Sequence, residues 1–346
     1  MKPVLHLVGV LLLTLIAGTR VASATEYPLP AENSRLIGEN STYIVPGDNR
    51  SLESIAASYK IGLLGMLEAN PGTDPWLPKA NTELTIPTQM LLPDTKREGI
   101  VVNLAELRLY YYPPGENKVI VYPIGIGQQG IITPLVVTSI GQKIPNPSWT
   151  PTANIRKRYA QNGVTLPGVI LAGPDNPMGL FALRLAYGKG QYLIHGTNAD
   201  FGIGMRVSSG CIRLRPQDIE ALFNSVPVGT RVQVINQPVK YAVEPDGKRY
   251  IEVHQPLSHA ESDDPQTMTL PLTKEARAFI NRPESDRQLI AQVMARRSGM
   301  PVLVNTGEQV DENTPLPAII QQQTHSAAPV TQPATISQAS GEKPAQ

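Results

Sequence analysis

The sequence has a single cysteine, Cys211, in 346 residues, so an internal disulfide is excluded. The folded parts of the chain must therefore be held together by their own apolar cores. An excess of charge of either sign is also absent, because 30 Lys and Arg residues oppose 29 Asp and Glu residues. A formal net charge of +1 gives no excess of basic residues that would attract nucleic acid, and we expect no nucleic-acid partner.

The sequence also lacks an apolar run of membrane-spanning length. The longest candidate lies at residues 7–17, and a transmembrane helix needs about 20 apolar residues. Lys2 precedes this run and the small residues A-S-A follow it at 22–24, which indicates a cleaved signal peptide over residues 1–24. We therefore expect an exported protein, most simply in a bacterial periplasm, with no membrane span after signal cleavage.

Proline is frequent, at 33 residues, and a chain of this length allows two or three domains. Residues 41–88 predict a first compact unit. There Y-I-V-P-G-D predicts a strand entering a turn, and Ser51 is placed to cap a helix with an apolar face. A second short helix ends before Pro71, and E-L-T-I-P predicts a closing strand. The unit therefore has the order strand, helix, helix, strand (βααβ).

Residues 99–236 change to a mostly β pattern, for which we predict a β-sandwich-like domain. Two strands are expected around the turn at 113–117, and later strands at G-L-F-A-L-R-L-A-Y, Q-Y-L-I-H-G and R-V-Q-V-I-N. The proline-rich segment K-I-P-N-P-S-W-T-P-T-A-N-I (143–155) predicts an ordered loop without regular structure. Pro216 suits the first turn of a helix that begins shortly after Cys211.

Residues 237–304 predict a C-terminal subdomain with a hairpin that turns at Asp246-Gly247. His254 and His259 lie in this segment without a carboxylate–histidine pattern around them, so we expect packing or exposed histidines rather than metal ligands. Glutamine, alanine, threonine, serine and proline dominate residues 305–346, for which we expect a disordered tail.

Cys211 is the candidate for covalent chemistry. A cysteine without context is usually a small buried hydrophobe, but this one follows a flexible turn at 208–210 and precedes the predicted helix start, which favours a thiolate. His195 ends a predicted strand and is expected to return beside Cys211 in a hairpin. Cysteine and histidine form the minimal nucleophile–base pair for acyl transfer. The N–H groups of Gly210 and Cys211 are candidate oxyanion donors. These residues alone do not name a substrate.

The stretch H-G-T-N…S-S-G-C-I-R-L resembles the active-site signature of the L,D-transpeptidase catalytic domain of the YkuD type. The resemblance covers roughly residues 99–236 and includes Y-P-I-G-I-G and N-P-S-W-T-P-T. The first unit resembles a lysin motif domain, a peptidoglycan-binding module, although N-R-S lengthens its first loop. A packing module without glycan binding is the alternative. Together these features resemble the enterobacterial periplasmic enzymes that attach the Braun lipoprotein to peptidoglycan.

The resemblance implies a role for each matching residue. Cys211 would attack the meso-diaminopimelate carbonyl of a tetrapeptide stem, release D-Ala and form a thioester. His195 would be the base, oriented by the main-chain carbonyl of Gly196. The C-terminal lysine amine of the Braun lipoprotein would accept the acyl group, with no metal and no cofactor. The substrate-binding candidates are Arg213, Ser208, Ser209, Tyr192 and Trp149.

Three alternatives remain at this point. The same thioester passes to a diaminopimelate amine of another stem in 3→3 cross-linking, or to water in an L,D-carboxypeptidase. In the third alternative the protein is a non-catalytic glycan-binding scaffold and Cys211 is inert. Ser209 stands where many members of the family have histidine, so a contribution from a second histidine is not expected here.

Overall fold

The computed structural model describes residues 24–307 except 132, 200 and 261. The predicted signal peptide, apart from residue 24, and the predicted tail beyond residue 307 lie outside the described residues. The helices are α1 (Leu52–Ser58), α2 (Leu63–Ala69), α3 (Ala153–Gln161), α4 (Pro216–Ser225), α5 (Lys274–Ile280) and α6 (Arg287–Arg296). The strands are β1 (Thr25–Pro28), β2 (Leu36–Ile37), β3 (Ser41–Ile44), β4 (Glu83–Ile86), β5 (Met90–Leu91), β6 (Gly99–Asn103), β7 (Arg108–Tyr112), β8 (Lys118–Pro123), β9 (Ile126–Gly127), β10 (Val136–Pro145), β11 (Phe181–Leu185), β12 (Leu193–His195), β13 (Arg206–Ser208), β14 (Ile212–Arg213), β15 (Arg231–Ile235), β16 (Val239–Val243), β17 (Arg249–Val253) and β18 (Pro301–Leu303).

The central domain, residues 99–236, is built on a sheet with the strand order β1-β8-β7-β6-β15-β10-β11-β12-β14, in which the edge strand β1 is added from outside these residues. One apolar cluster contains Ile100 and Leu109 from one part of this sheet and Ile194 and Ile212 from its far end. Residues so far apart in the strand order meet only if the sheet curls onto itself. The expected mostly β domain is confirmed, and its core lies inside one curled sheet rather than between two separate ones.

Alternation along the strands explains the two faces of this sheet. In β6, Ile100 and Val102 belong to the inner cluster, whereas Val101 faces a second cluster on the outer side. In β7, Leu109 and Tyr111 point inward while Tyr110 and Tyr112 point outward. Successive side chains of a strand point to opposite faces, so both faces of these strands are apolar because both are covered.

Two local predictions for the central domain were wrong. The segment before the 113–117 turn is not one strand but the antiparallel pair β6 and β7, with Gly99 opposite Tyr112. The proline-rich segment 143–155 is not free of regular structure, because β10 extends to Pro145 and α3 begins at Ala153. Thr152 accepts a hydrogen bond from the Ile155 N–H at 3.3 Å and caps α3.

The first module, residues 41–88, has the predicted order of β3, α1, α2 and β4, and β3 pairs with β4 in antiparallel fashion. The Ser51 hydroxyl accepts from the Ser54 N–H at 3.1 Å and caps α1, as predicted. The apolar side of both helices and the closing strand share one core, which includes Leu52, Ile55 and Met66.

The third module, residues 237–304, contains the predicted hairpin as β16 and β17, with β18 added on the outer side of β17. Helices α5 and α6 pack on this small sheet around a core that includes Ile251, Phe279 and Ile290. His259 is exposed, whereas His254 is buried and hydrogen-bonds Glu68 of the first module at 3.0 Å. The two histidines therefore do not form a common site.

Candidate active site

Strands β12 and β14 bring the two candidate catalytic residues together. They pair in parallel, with Ile194 opposite Ile212 and His195 opposite Arg213, so the expected hairpin return was wrong. Paired residues of parallel strands share a face and alternate residues point the same way. His195 and Arg213 therefore project from one face of the sheet, while Ile194 and Ile212 project into the inner core. Cys211 directly precedes β14, which places it beside the strand that His195 ends.

The ring of His195 is held in one tautomer by the backbone. Its Nδ1 lies 2.7 Å from the carbonyl oxygen of Gly196, so we assign the proton to Nδ1, which donates to that oxygen. In this tautomer Nε2 carries the lone pair that a general base requires. This contact is the one expected for the Gly196 carbonyl. The Met178 carbonyl is a second backbone acceptor near the ring.

Burial sets the protonation state of His195. The side chain is 4% exposed, and burial, together with the positive charge of Arg213, lowers the pKa of His195 to about 4. The imidazole is therefore neutral at neutral pH, with its lone pair available to accept a proton. A histidine at its ordinary pKa near 6.5 would be partly protonated there.

Cys211 is half-buried, and its Sγ lies 3.6 Å from the carbonyl oxygen of Gln191. Burial raises the pKa of the Cys211 thiol, against the opposing effects of the Leu193 N–H and Arg213. Helix α4 begins at Pro216, as predicted. Burial of the Cys211 thiol opposes the thiolate that this helix start was expected to favour. The resting pair is thus a neutral thiol and a neutral imidazole.

The turn before Cys211 is closed by Ser208, which is 1% exposed. The Ser208 hydroxyl donates to the Cys211 carbonyl at 2.5 Å and accepts from the Gly210 N–H at 3.2 Å. Two expectations are corrected by this arrangement. Ser208 holds the turn instead of facing a substrate, and the Gly210 N–H is engaged by that hydroxyl instead of being free for an oxyanion.

Ser209 is exposed and Arg213 is partly buried. Arg213 is close enough to affect the pKa values of both His195 and Cys211, and its Nε is buried without a hydrogen-bond partner among the described residues. Exposed Ser209 accepts a hydrogen bond from Arg158 Nη2 at 2.9 Å. Sequence reasoning missed Arg158 because it did not predict α3, although Thr152 before A-N-I-R-K-R-Y-A-Q is a capping signal.

The two aromatic candidates make their contacts with other parts of the central domain. Tyr192 packs against the inner core and lies 5.6 Å from the Tyr187 ring between centroids. It shares the face of Ile194, opposite that of His195, so its predicted substrate contact is not supported. Trp149 lies on the rim segment, where its N–H and carbonyl both bond Ile170 at 2.8 Å.

Among the residues that the structure describes, one group of acidic and histidine side chains has the spacing of a metal site: Glu106, Glu252 and His254. The ammonium of Lys240 lies 2.7 Å from Glu106 and 2.8 Å from Glu252. A protein cation therefore already occupies the position between the carboxylates. The donor set does not fit a resident metal ion, and it lies outside the Cys211 site.

Comparison with known proteins defines the class of this domain. Residues 97–234 match the L,D-transpeptidase catalytic domain, and residues 238–304 match the L,D-transpeptidase C-terminal domain. The chain belongs to the L,D-transpeptidase family and is an enzyme of that class.

Individual relatives make the assignment more specific. The chain is 57% identical to the probable L,D-transpeptidase YcfS of Escherichia coli K12, over 81% of this chain and 88% of the relative. It is 54% identical to the probable L,D-transpeptidase ErfK/SrfK of the same strain, over 85% of this chain and 96% of the relative. The solved catalytic domain of the Enterococcus faecium L,D-transpeptidase matches 41% of this chain and 100% of its own length, at 20% identity and a TM-score of 0.31. The family assignment rests on the family models and the two E. coli relatives.

No helix in the described ranges is long and apolar enough to cross a lipid bilayer.

Proposed function

We propose that Cys211 and His195 carry out acyl transfer through a cysteine thioester. The observation that carries this proposal is the 2.7 Å contact between His195 Nδ1 and the Gly196 carbonyl, at the end of the strand that pairs with the strand directly after Cys211. It leaves Nε2 as the acceptor for the thiol proton. A thioester intermediate divides one difficult exchange of amides into two easier steps.

The proposed donor is a peptidoglycan tetrapeptide stem, attacked at the carbonyl of the L-centre of meso-diaminopimelate. His195 Nε2 takes the thiol proton as Sγ bonds to that carbonyl carbon. The tetrahedral adduct then collapses, the bond to D-Ala breaks, and the imidazolium returns the proton to the departing amine. The names of the relatives as L,D-transpeptidases support this donor, because the broken bond joins an L-centre to a D-residue.

In the second half of the reaction an amine attacks the thioester, gives its proton to His195, and releases the Cys211 thiol. We propose the C-terminal lysine side chain of the Braun lipoprotein as this amine, following the sequence resemblance. The Cys211 N–H is the proposed oxyanion donor. Arg213, with its buried Nε unpartnered in the described part of the chain, is the proposed contact for a substrate carboxylate.

We propose the periplasm as the place of this reaction, as the predicted signal peptide implies. The first module is proposed to be a lysin motif domain. Its βααβ order and its A-N-P-G turn support that assignment. In this proposal the module brings the enzyme to peptidoglycan glycan, while the central domain processes the stem peptides.

Intact-mass measurement tests the nucleophile. The purified chain is mixed with a soluble tetrapeptide donor, or with a carbapenem, which acylates this family. One covalent adduct is expected on the wild type, and none on Cys211→Ala. A wild type that forms no adduct, or an adduct that survives Cys211→Ala, would refute the thioester and favour a glycan-binding scaffold.

Muropeptide analysis tests the acceptor. Sacculi from a strain in which this enzyme is the only L,D-transpeptidase are digested and separated. We expect stems that carry a lipoprotein remnant. Accumulation of 3→3 cross-linked dimers without that remnant would instead assign a second stem peptide as acceptor, and accumulation of tripeptides alone would assign water.

A further inference from the structure

The segment that joins the two proposed catalytic residues, residues 196–210, is here called the catalytic loop. Residue 200 lies outside the described residues, and among the others of this loop regular structure is limited to β13 (Arg206–Ser208). Its conformation must therefore depend on what it contacts. The contacts come from both flanking modules, as well as from the central domain.

The first module uses the beginning of α2 to hold this loop. The helix begins after Gly62, whose residue type offers no side-chain cap, so the first N–H groups of α2 need other acceptors. Leu63 N–H donates to the Ile203 carbonyl at 3.4 Å, and Leu64 N–H donates to the Gly204 carbonyl at 3.1 Å. The catalytic loop thus serves as the cap of a helix in another module.

The two backbones approach too closely for any side chain. A Cβ on Gly62 would lie 2.6 Å from Gly204 Cα, and one on Gly204 would lie 2.3 Å from Gly62 Cα. Gly204 also has a φ of +79°, which side-chain-bearing residues rarely adopt. Both glycines are therefore required for this contact, although neither belongs to the catalytic pair.

Further contacts from the first module lie on both sides of this glycine pair. Glu53 of α1 accepts from the Gly202 N–H at 3.0 Å. Arg215, which precedes α4, is buried and donates from Nη2 to the Ile61 carbonyl at 2.9 Å. The first module is therefore bonded to the chain both before and after Cys211.

The third module holds the same loop from another direction. Arg206 in β13 donates from Nη1 to the Ser258 carbonyl at 2.7 Å and to the Ser258 hydroxyl at 2.9 Å. The first and third modules are also joined directly, because Glu68 accepts from His254 at 3.0 Å and its carbonyl accepts from Arg296 at 3.0 Å. The catalytic loop thus contacts two modules that are themselves hydrogen-bonded to each other.

We propose that the first module is a positioning element of the catalytic site: through the Gly62–Gly204 contact it sets the shape of the catalytic loop, and so the placement of Cys211 relative to His195. This inference rests on the proposed Cys211 thioester chemistry. It assigns the module a role in the acylation step itself, beyond any binding of glycan. Small errors in the placement of a nucleophile cost up to about 100-fold in rate.

The test is the full-length variant Gly62→Ala, with Gly65→Ala as its matched control. Gly62 has no positive φ, so alanine suits its own backbone but would press on Gly204. A Cβ on Gly65, in the same helix, would meet Ile61 Cγ2 at an ordinary 3.6 Å. Each protein is acylated with a soluble tetrapeptide donor that carries no glycan, and adduct formation is followed by intact mass.

Two quantities separate positioning from folding. The final adduct fraction reports how much protein is folded, and the rate constant at saturating donor reports placement of the thiol. For Gly62→Ala we expect a full adduct fraction with a rate constant about 10- to 100-fold lower and an unchanged half-saturating donor concentration. For Gly65→Ala we expect wild-type kinetics.

A wild-type rate constant in Gly62→Ala would overturn the positioning role and leave the module as a binding domain only. The absence of an adduct on the wild type would instead refute the thioester proposal, so the two failures are distinct.

If Gly62→Ala does not fold, variants of Glu53 test the same proposal. Glu53→Ala is expected to slow acylation, and Glu53→Gln, which keeps an oxygen for the Gly202 N–H, is expected to restore it. Equal rates in both Glu53 variants would also overturn the proposal.

Discussion

His195 and His254 are both buried, with 4% and 1% of their surfaces exposed, yet their pKa values move in opposite directions. Burial and the charge of Arg213 lower the pKa of His195 to about 4. Burial also disfavours the charged form of His254, but the carboxylates of Glu68 and Glu252 outweigh it and raise the pKa of His254 to about 9. Neighbouring charge, rather than depth, decides the protonation state of a buried histidine.

The two sites use this difference for different purposes. His195 bonds a neutral carbonyl through Nδ1, which leaves Nε2 to accept a proton. His254 donates from both ring nitrogens, to Glu68 at 3.0 Å and to Glu252 at 2.7 Å, so no lone pair remains for catalysis. One histidine is prepared to react, and the other joins two modules as a fixed cation.

A buried cluster of balanced charge surrounds His254. It joins all three modules, because Glu68 comes from the first, Glu106 and Arg108 from the central domain, and Lys240 and Glu252 from the third. With His254 protonated, three cations face three carboxylates. The charges are paired, so the cluster specifies how the modules fit together, whereas the active site keeps His195 and Cys211 neutral.

The largest effect is expected from the reactive histidine. His195→Ala should keep the fold and lower the acylation rate constant of Cys211 by about 10²- to 10⁴-fold, because the general base is lost. His259→Ala, at an exposed histidine, is the control and should react like the wild type. The rate is measured by intact mass with a tetrapeptide donor. Full activity in His195→Ala would remove this residue from the mechanism.

The next effect is expected in the charge cluster. Lys240→Met leaves Glu106 and Glu252 without the ammonium that lies between them, at 2.7 and 2.8 Å. Breaking a buried ion pair on one side lowers the free energy of unfolding by about 3–5 kcal/mol. Lys248→Met is the matched control at an exposed ion pair and should change it by less than about 1 kcal/mol. Urea unfolding measures both, and similar values for the two variants would contradict the structural role of the cluster.

The charged histidine should also make stability depend on pH. Because the pKa of His254 is raised in the folded state to about 9, its stabilising effect is complete below pH 6.5 and is lost as pH rises through 9. The loss should be about 3 kcal/mol in the free energy of unfolding. Urea unfolding between pH 6 and 9.5 measures it, and His254→Gln should remove most of the slope. An equally steep slope in His254→Gln would assign the dependence to other groups.

The smallest effect concerns the pH dependence of acylation. Since the pKa of His195 is lowered to about 4, the base stays unprotonated down to that pH. The rate constant for acylation should therefore change by less than about twofold between pH 7 and 5, and fall tenfold per pH unit below 4. Arg213→Gln should raise the pH at which this fall in rate (the acid limb) begins, because it removes a positive charge near the imidazole. An acid limb near 6.5 in the wild type would show that His195 is not desolvated in solution.

Much of this protein could be predicted locally from its sequence. Ser51 caps α1 and Pro216 begins α4 as their residue types require. The β16–β17 hairpin also forms around Asp246-Gly247 as predicted. Helix α3 was not predicted because it follows a proline-rich segment, although Thr152 is a capping residue. The role of Ser208 could not be predicted, because its partners Gly210 and Cys211 are engaged only in the folded turn.

The sequence by itself determined the caps of α1 and α3, the first turn of α4, the β16–β17 hairpin and the presence of one thiol with one histidine in a family signature, since these depend on neighbouring residues and on residue type. Only the tertiary structure decided the parallel pairing of β12 with β14, the neutral state of His195 and the charged state of His254. These properties depend on burial and on partners far along the chain. Glu68 and His254, for example, are 186 residues apart. Electrostatic energy follows distance in space and exclusion of water, neither of which is written in local sequence.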